Sequence, residues 1–315
     1  LRKGIIAIIS VVVVVIAIIN IIVLIPFPTI VGTEKTTITI IDDRGKEVVI
    51  NYPPERIVSI VPANTEILFA LSLDDRIVGV TRYCDYPPKV KNMVEEGKIM
   101  IIGGFADPSI EKIVGLKPDV VFAMHTIQLK TVESLEEKNI AVIYLDPSNI
   151  QDVLDDILLV GKATGKEAEA KKLVEEIKWR IDNVINKTRE VSYRPRVYYE
   201  VWHDPLMSVG PGTWIHDIIE LAGGSNIFSD AKVKYLKISS ESVITRNPEI
   251  IIIKIGYMGG IAKEEIAKRP GWNTIDAVKN DDIYEVDESI LIRPGPRIVE
   301  GLETLAKIIH PELFE

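Results

Sequence analysis

A single cysteine, Cys84, stands in the 315 residues, so no internal disulfide can form, and metal arrays that need paired cysteines are excluded. Only four histidines occur (His125, His203, His216 and His310), and they show no metal-ligand spacing. Glutamine is as scarce, with Gln128 and Gln151 alone against abundant Ile, Glu and Lys, a bias that resembles proteins of heat-loving organisms. A basic excess is missing as well. The formal net charge is -9 and no basic run occurs, so phosphate backbones repel the chain and nucleic acid is not a partner. Enzyme signatures are absent too: there is no G-x-S-x-G, no H-E-x-x-H and no complete phosphate-binding loop. The nearest phosphate-loop lookalike, Gly161 to Lys166, has the wrong spacing and lies between helices. The residues point to no catalytic group, no resident metal and no cofactor.

Hydrophobic residues make up 47% of the chain and charged ones 26%, enough apolar surface for a packed body of two domains or one large one. Arg2 and Lys3 precede an almost unbroken aliphatic run from Ile5 to Ile25. As a helix that run reaches about 30 Å, the thickness of a bilayer core. Basic residues before it stay cytoplasmic, which places all that follows outside the cell. A cleaved signal peptide is the competing reading. Its core is shorter, however, and no A-x-A-like site follows; the exit reads Pro26-Phe27-Pro28-Thr29. No cysteine follows the run to carry a lipid. Residues 1–25 are therefore expected to be a membrane anchor, and 26–36 a tether.

Thr37 to Ile50 reads as a hairpin turning at Asp43-Arg44-Gly45. Beyond Pro53-Pro54, short aliphatic runs alternate with helical stretches. The runs are 56–60, 76–80, 119–123 and 141–145, then 196–201, 249–253 and 282–286. Short apolar strands between helices argue for parallel sheets covered on both faces. Between the two sets lies a charged stretch whose apolar positions Leu173, Val174, Ile177, Ile181, Val184 and Ile185 recur at helical spacing. The expected architecture is α/β: a lobe over 37–164, one long helix over 165–190, and a second lobe over 191–315, each lobe built on a mostly parallel sheet. An internal echo supports this division. Ser109, Glu111, Ile113, Val114, Pro118 and Val120 correspond, at one constant offset, to Ser239, Glu241, Val243, Ile244, Pro248 and Ile250. Each copy is a capped helix start, a short helix, a proline stop and an aliphatic strand.

In open α/β sheets, ligands bind outside the carboxyl ends of the strands. Those ends carry Asn64, Tyr83, Met124 and His125 in the first lobe. In the second they carry Trp202, His203, Tyr257 and Arg293. A cleft lined from both lobes by aromatic, Met and His residues suits a large, flat, partly apolar ligand. Any single Trp or Tyr in that set serves equally well as core packing. Glu111 and Glu241 fall in first helical turns, where the helix dipole favours negative charge. Their helices also start at the carboxyl edges of the sheets. There two acidic knobs, one per lobe, are available to basic residues of a partner.

The stretches ERIVSIVPANTEILFAL, RIVGVTRYCDYPP and GGFADPSIEKIVGLKPDVVFA resemble the solute-binding proteins of ABC importers for cobalamin and ferric siderophores. So do GTWIHDIIELAGGSNIF, SSESVITRNPEIIII and RPGPRIVEGLETLAKIIHPELF. The likeness runs from about Ile57 to the C-terminus. It implies two α/β lobes joined by one long helix, the class III periplasmic-binding-protein arrangement, with limited lobe motion. It implies a monomer that is not an enzyme and that hands a small molecule to permease subunits served by a cytoplasmic ATPase. Glu111 and Glu241 match the glutamates that dock onto permease arginines. Tyr83 and Phe105 match positions where aromatics touch the corrin, and Trp214 joins the candidate ligand contacts. Met124 and His125 depart from the cobalamin branch, which has an aromatic and a basic residue there. Arg293 would equally suit a siderophore or haem carboxylate. Cobalamin or a related corrinoid is the expected cargo, with a ferric siderophore or haem on the same scaffold as the nearest alternative. A metal-dependent cleft enzyme and a purely structural surface protein are the readings of other classes.

Overall fold

The computed structural model describes residues 36–256 and 260–314. The apolar run, the tether and Tyr257 lie outside them. Among the described residues, no helix is long and apolar enough to cross a membrane.

The first lobe opens with a hairpin of β1 (Thr36–Ile41) and β2 (Glu47–Tyr52), paired antiparallel. There follow β3 (Ile57–Ser59), α1 (Pro62–Ala70), β4 (Ile77–Val80), α2 (Lys89–Glu95) and β5 (Met100–Ile101). Then come α3 (Ile110–Gly115), β6 (Val120–Met124), α4 (Leu129–Glu136), β7 (Val142–Leu145) and α5 (Ile150–Thr164). The five strands β3 to β7 form one parallel sheet in the order β5-β4-β3-β6-β7. Every residue of β3, β6 and β7 is buried, as expected of a sheet covered on both faces.

The long helix α6 (Glu167–Thr188) follows directly. It begins at Glu167 rather than Gly165, because Gly165 adopts φ 75° and closes α5 with a left-handed cap. Ala170, Val174, Ile177, Ile181 and Val184 are its buried stripe, which packs on α5 behind it and on the last helix of the chain.

The second lobe contains β8 (Arg196–Glu200), β9 (Trp202–His203), β10 (Leu206–Val209), α7 (Trp214–Leu221), β11 (Ser225–Asn226) and β12 (Tyr235–Lys237). It continues with α8 (Ser240–Arg246), β13 (Ile250–Ile255), α9 (Lys263–Ala267), α10 (Asp276–Lys279), β14 (Ile283–Asp287), α11 (Glu288–Ile292) and α12 (Ile298–Ile309). Its parallel sheet has the order β11-β8-β13-β14, and β12-β10-β9 form a separate antiparallel sheet.

The repeated segment takes the same form in both lobes. Ser109 and Ser239 each cap a helix by accepting a backbone N–H, from Lys112 and Ser242. Those helices, α3 and α8, lead into β6 and β13, central strands of their sheets. One continuous core runs from the first lobe through α6 to α12, while a smaller cluster around Tyr198 and Trp272 fills the far side of the second lobe.

Candidate ligand-binding site at the carboxyl edges of the two sheets

In the first lobe the chain runs outward from β3 to β5, then crosses to the other side of β3 for β6 and β7. In the second it places β11 on one side of β8 and β13 on the other. The connections reverse at β3/β6 and at β8/β13, and such reversals open crevices at the carboxyl ends of the strands.

At the β3/β6 crevice, two expected residues turn inward. Asn64 is fully buried, and its Nδ2 donates to the Ala123 carbonyl at 3.2 Å, tying α1 to β6, while its Oδ1 has no partner. Met124 is also buried, in the last position of β6. Phe105 and His125 do come together, with ring centroids 6.0 Å apart. His125 is exposed, with φ 74°, and its Nδ1 accepts the Ile127 N–H at 3.3 Å.

The residue that assembles this edge is one that the sequence did not single out. Gln128, fully buried, donates through Nε2 to the carbonyls of Ile60 (2.9 Å) and Phe105 (2.8 Å), and its Oε1 accepts the Met124 N–H at 3.2 Å. One side chain thereby fixes three loop starts. Its signal in the sequence was slight: a rare glutamine just beyond an aliphatic strand.

At the β8/β13 crevice, Trp202 and His203 stack with centroids 5.0 Å apart. The Trp202 indole donates to the Asp204 carbonyl at 2.8 Å, and the Lys254 ammonium lies 5.5 Å from its ring. Lys254 is buried and paired with the equally buried Glu288 at 3.4 Å. Beneath them Arg269 grips Glu200 through two hydrogen bonds of 2.6 and 2.8 Å. A cavity of about 10 Å³, room for one water, lies between Trp202, Lys254 and Ile261. Trp214 is half-buried, and its indole N–H is spent on the Leu291 carbonyl at 2.7 Å, holding α7 to α11.

The lobes meet in a charged seam. Arg293, after α11, donates through Nη1 to Glu66 on α1 at 3.0 Å and to Asp85 at 2.8 Å, and through Nη2 to the Tyr83 carbonyl at 3.4 Å. Arg297 adds two further bonds to Glu66 and lies 3.8 Å from the Tyr86 ring centre. Burial works against both guanidinium charges. Hydrogen bonds outweigh it, Asp85 before Glu66 for Arg293 and Glu66 for Arg297, and both pKa values rise. Gly295 lies directly on α1, where an added Cβ would come within 3.3 Å of the Ala63 carbonyl oxygen. A second bridge joins Lys234 Nζ to Ser148 Oγ at 2.7 Å. Tyr83, half-buried, sits beside the first seam with the Arg82 guanidinium 6.0 Å from its ring.

Glu111 and Glu241 stand exposed in the first turns of α3 and α8. Cys84 is buried beside Thr81, and burial pushes its thiol pKa up. Among the described residues, no group of three His, Cys, Asp or Glu side chains is placed to hold a metal ion.

This geometry has known counterparts. Residues 57–290 match the family model described as periplasmic binding protein. An uncharacterized ABC transporter substrate-binding lipoprotein of Bacillus subtilis (strain 168) is 31% identical over 290 residues, covering 90% of this chain and 88% of the relative. A vitamin B12-binding protein of Vibrio cholerae serotype O1 is 27% identical over 258 residues, covering 80% and 88%. Among solved structures, a possible iron-binding (periplasmic solute-binding) protein from Staphylococcus epidermidis ATCC 12228 aligns with TM-score 0.71 at 35% identity, covering 82% of this chain and 99% of that one. These relatives are solute-binding proteins, not enzymes, and proteins of their kind deliver small ligands to a permease and its ATPase. The chain belongs to the periplasmic binding protein family and is the solute-binding component of an ABC import system.

Proposed function

We propose that the protein captures a corrinoid such as cobalamin and presents it to its permease. One observation carries this reading: exposed apolar side chains stand next to charges that the chain has already neutralised. Tyr86, Ile127 and Ile255, at the carboxyl ends of β4, β6 and β13, are 39%, 51% and 45% exposed, although each is a large hydrophobe. They share these edges with Phe105, His125 and Trp202. By contrast the inner cations Arg293, Arg297, Lys254 and Arg269 are each held by a carboxylate of the same chain, while the exposed Arg82, beside the Tyr83 ring, is a cation at this edge that favours the alternative below. A corrinoid has broad apolar faces and a rim of uncharged amides, so it asks for aromatic surface and little net charge. A catecholate siderophore or haem brings negative charge and asks for a cation without a partner. The vitamin B12-binding relative agrees with the first chemistry, and the iron-binding structural relative keeps the second as the alternative.

In this reading the ligand contacts are Tyr83, Phe105, His125, Trp202, His203 and Tyr257. Asn64, Met124 and Trp214 act behind them as packing and hydrogen-bonding supports. Glu111 and Glu241 meet basic residues of the permease. The apolar run of residues 5–25 anchors a monomeric receptor on the outer side of the cytoplasmic membrane. Isothermal titration of the body from residue 36 onward with cyanocobalamin tests the cargo. Saturable heat at micromolar protein is expected. No heat with cyanocobalamin, together with a spectral change on adding haemin or a ferric siderophore, would transfer the assignment to the alternative.

A further inference from the structure

We propose that Asp85 is a specificity-determining residue: on Arg293 it occupies the place that an anionic ligand group would take, and so it tunes the cleft toward uncharged guests. The inference rests on the reading that the guest lies at the carboxyl edges of the sheets.

The seam holds two guanidinium groups, Arg293 and Arg297, against two carboxylates, Glu66 and Asp85, and is electrically balanced. The two carboxylates are not equivalent. Glu66 is 2% exposed and accepts three hydrogen bonds, one from Arg293 and two from Arg297. It cannot leave without stripping Arg297 of its carboxylate and leaving Arg293 with Asp85 alone. Asp85 is 42% exposed, sits on the loop between β4 and α2, and accepts one hydrogen bond from Arg293. Arg293 itself is only 14% exposed, so water replaces Asp85 poorly on its Nη1. With Asp85 in place, an incoming carboxylate or catecholate meets a like charge and an arginine already engaged. With Asp85 neutral, the seam gains one positive charge at the edge of the cleft, where charge-assisted pairing is strong.

The test compares the wild type with Asp85→Asn in titrations with haemin, haemin dimethyl ester and cyanocobalamin. The exposed Asn keeps the loop's shape and removes only the charge. Haemin is expected to bind the variant at least tenfold more tightly than the wild type, while the ester, which lacks the two carboxylates, changes by less than twofold. Adding Arg293→Gln to the variant should abolish the gain. A folded D85N protein that binds haemin no better than the wild type overturns the proposal, as does an equal gain for the ester. Cyanocobalamin reports separately. A chain that ignores it in both forms defeats the corrinoid reading, while the haemin comparison still decides the role of Asp85.

Discussion

Arg297 grips Glu66 through two parallel hydrogen bonds, Nε to Oε2 at 2.9 Å and Nη2 to Oε1 at 2.8 Å, across 231 residues of sequence. The pair joins the first helix of the first lobe to the segment that opens the last helix of the second. Glu66→Gln would leave the Arg297 guanidinium facing a neutral amide and Arg293 with Asp85 as its single carboxylate, a loss of about 3–5 kcal/mol. For a body of this size that is a fall in melting temperature on the order of 10 °C. Breaking the exposed Lys98–Glu96 pair by Lys98→Ala should change it hardly at all. Thermal unfolding of both variants in one buffer makes the comparison. Equal melting points would mean that the seam contributes nothing to holding the lobes.

Gln128 makes a different prediction, because it ties loops rather than lobes. Gln128→Leu keeps the bulk but leaves the Ile60 and Phe105 carbonyls and the Met124 N–H without their partner, at about 1–3 kcal/mol for each unpaired group. The loop carrying Phe105 is then free to leave His125. Hydrogen exchange over residues 103–108 should speed up, and ligand affinity should fall about tenfold, since ordering the loop becomes a cost of binding. Unchanged exchange in that loop would mean that other contacts hold Phe105.

Much of the architecture was written in local patterns. Aliphatic runs between helical stretches gave seven of the parallel strands but not the two-residue β5 and β11, and Ser109 and Ser239 marked the repeated helices. The stripe from Val174 to Val184 gave the long helix, because each signal depends only on neighbouring residues. The antiparallel sheet of β9, β10 and β12 was not legible. Its strands are two to four residues long and lack alternation, so their partners define them. The site divides in the same way. His125, Trp202 and His203 follow from the rule of strand ends and Phe105 from the family resemblance, whereas Asn64 and Met124 occupy equally good ends yet face inward. Glu66 and Arg297 were invisible because an ion pair between distant residues leaves no periodic trace. One local hint existed: α1 is buried continuously from Ala63 to Leu68, so its glutamate had no polar face to use.

Asp156 links stability to pH. It is buried on α5, and burial first, then the neighbouring charge of Asp43, pushes its pKa up to about 9. Its Oδ2 is buried without a hydrogen-bond partner, and Asp43, whose own pKa is raised by burial, accepts the Asp146 N–H at 2.6 Å. In the unfolded chain an aspartate ionises near pH 4. Between about pH 4 and 9 the native state therefore holds a proton that the unfolded state has lost, and stability declines as pH rises. The contribution is complete below pH 4 and gone above about 9. Asp156→Asn keeps the size and shape of the side chain and removes the titration. Melting temperatures measured from pH 5 to 9 should fall more steeply in the wild type than in the variant. Parallel slopes would place the proton elsewhere.

The two exposed glutamates give a prediction that separates capture from delivery. Glu241 is held below the usual carboxylate range by its own backbone N–H, then by the Ser239 hydroxyl, so it is charged at any physiological pH. Neither Glu111 nor Glu241 takes part in the seam or in the core of its lobe. Replacing both by Ala should leave titration with the cargo unchanged within about twofold, because no group at the strand ends depends on them. Uptake by vesicles carrying the cognate permease should fall at least tenfold, and replacing both by Arg should lower it further, since repulsion then replaces attraction. Raising the salt concentration should weaken wild-type uptake, as expected for exposed charge pairs, and leave the residual uptake of the Ala variant almost flat. If cargo affinity falls together with uptake, the carboxylates belong to the cleft and the permease is gripped by some other part of the two rims.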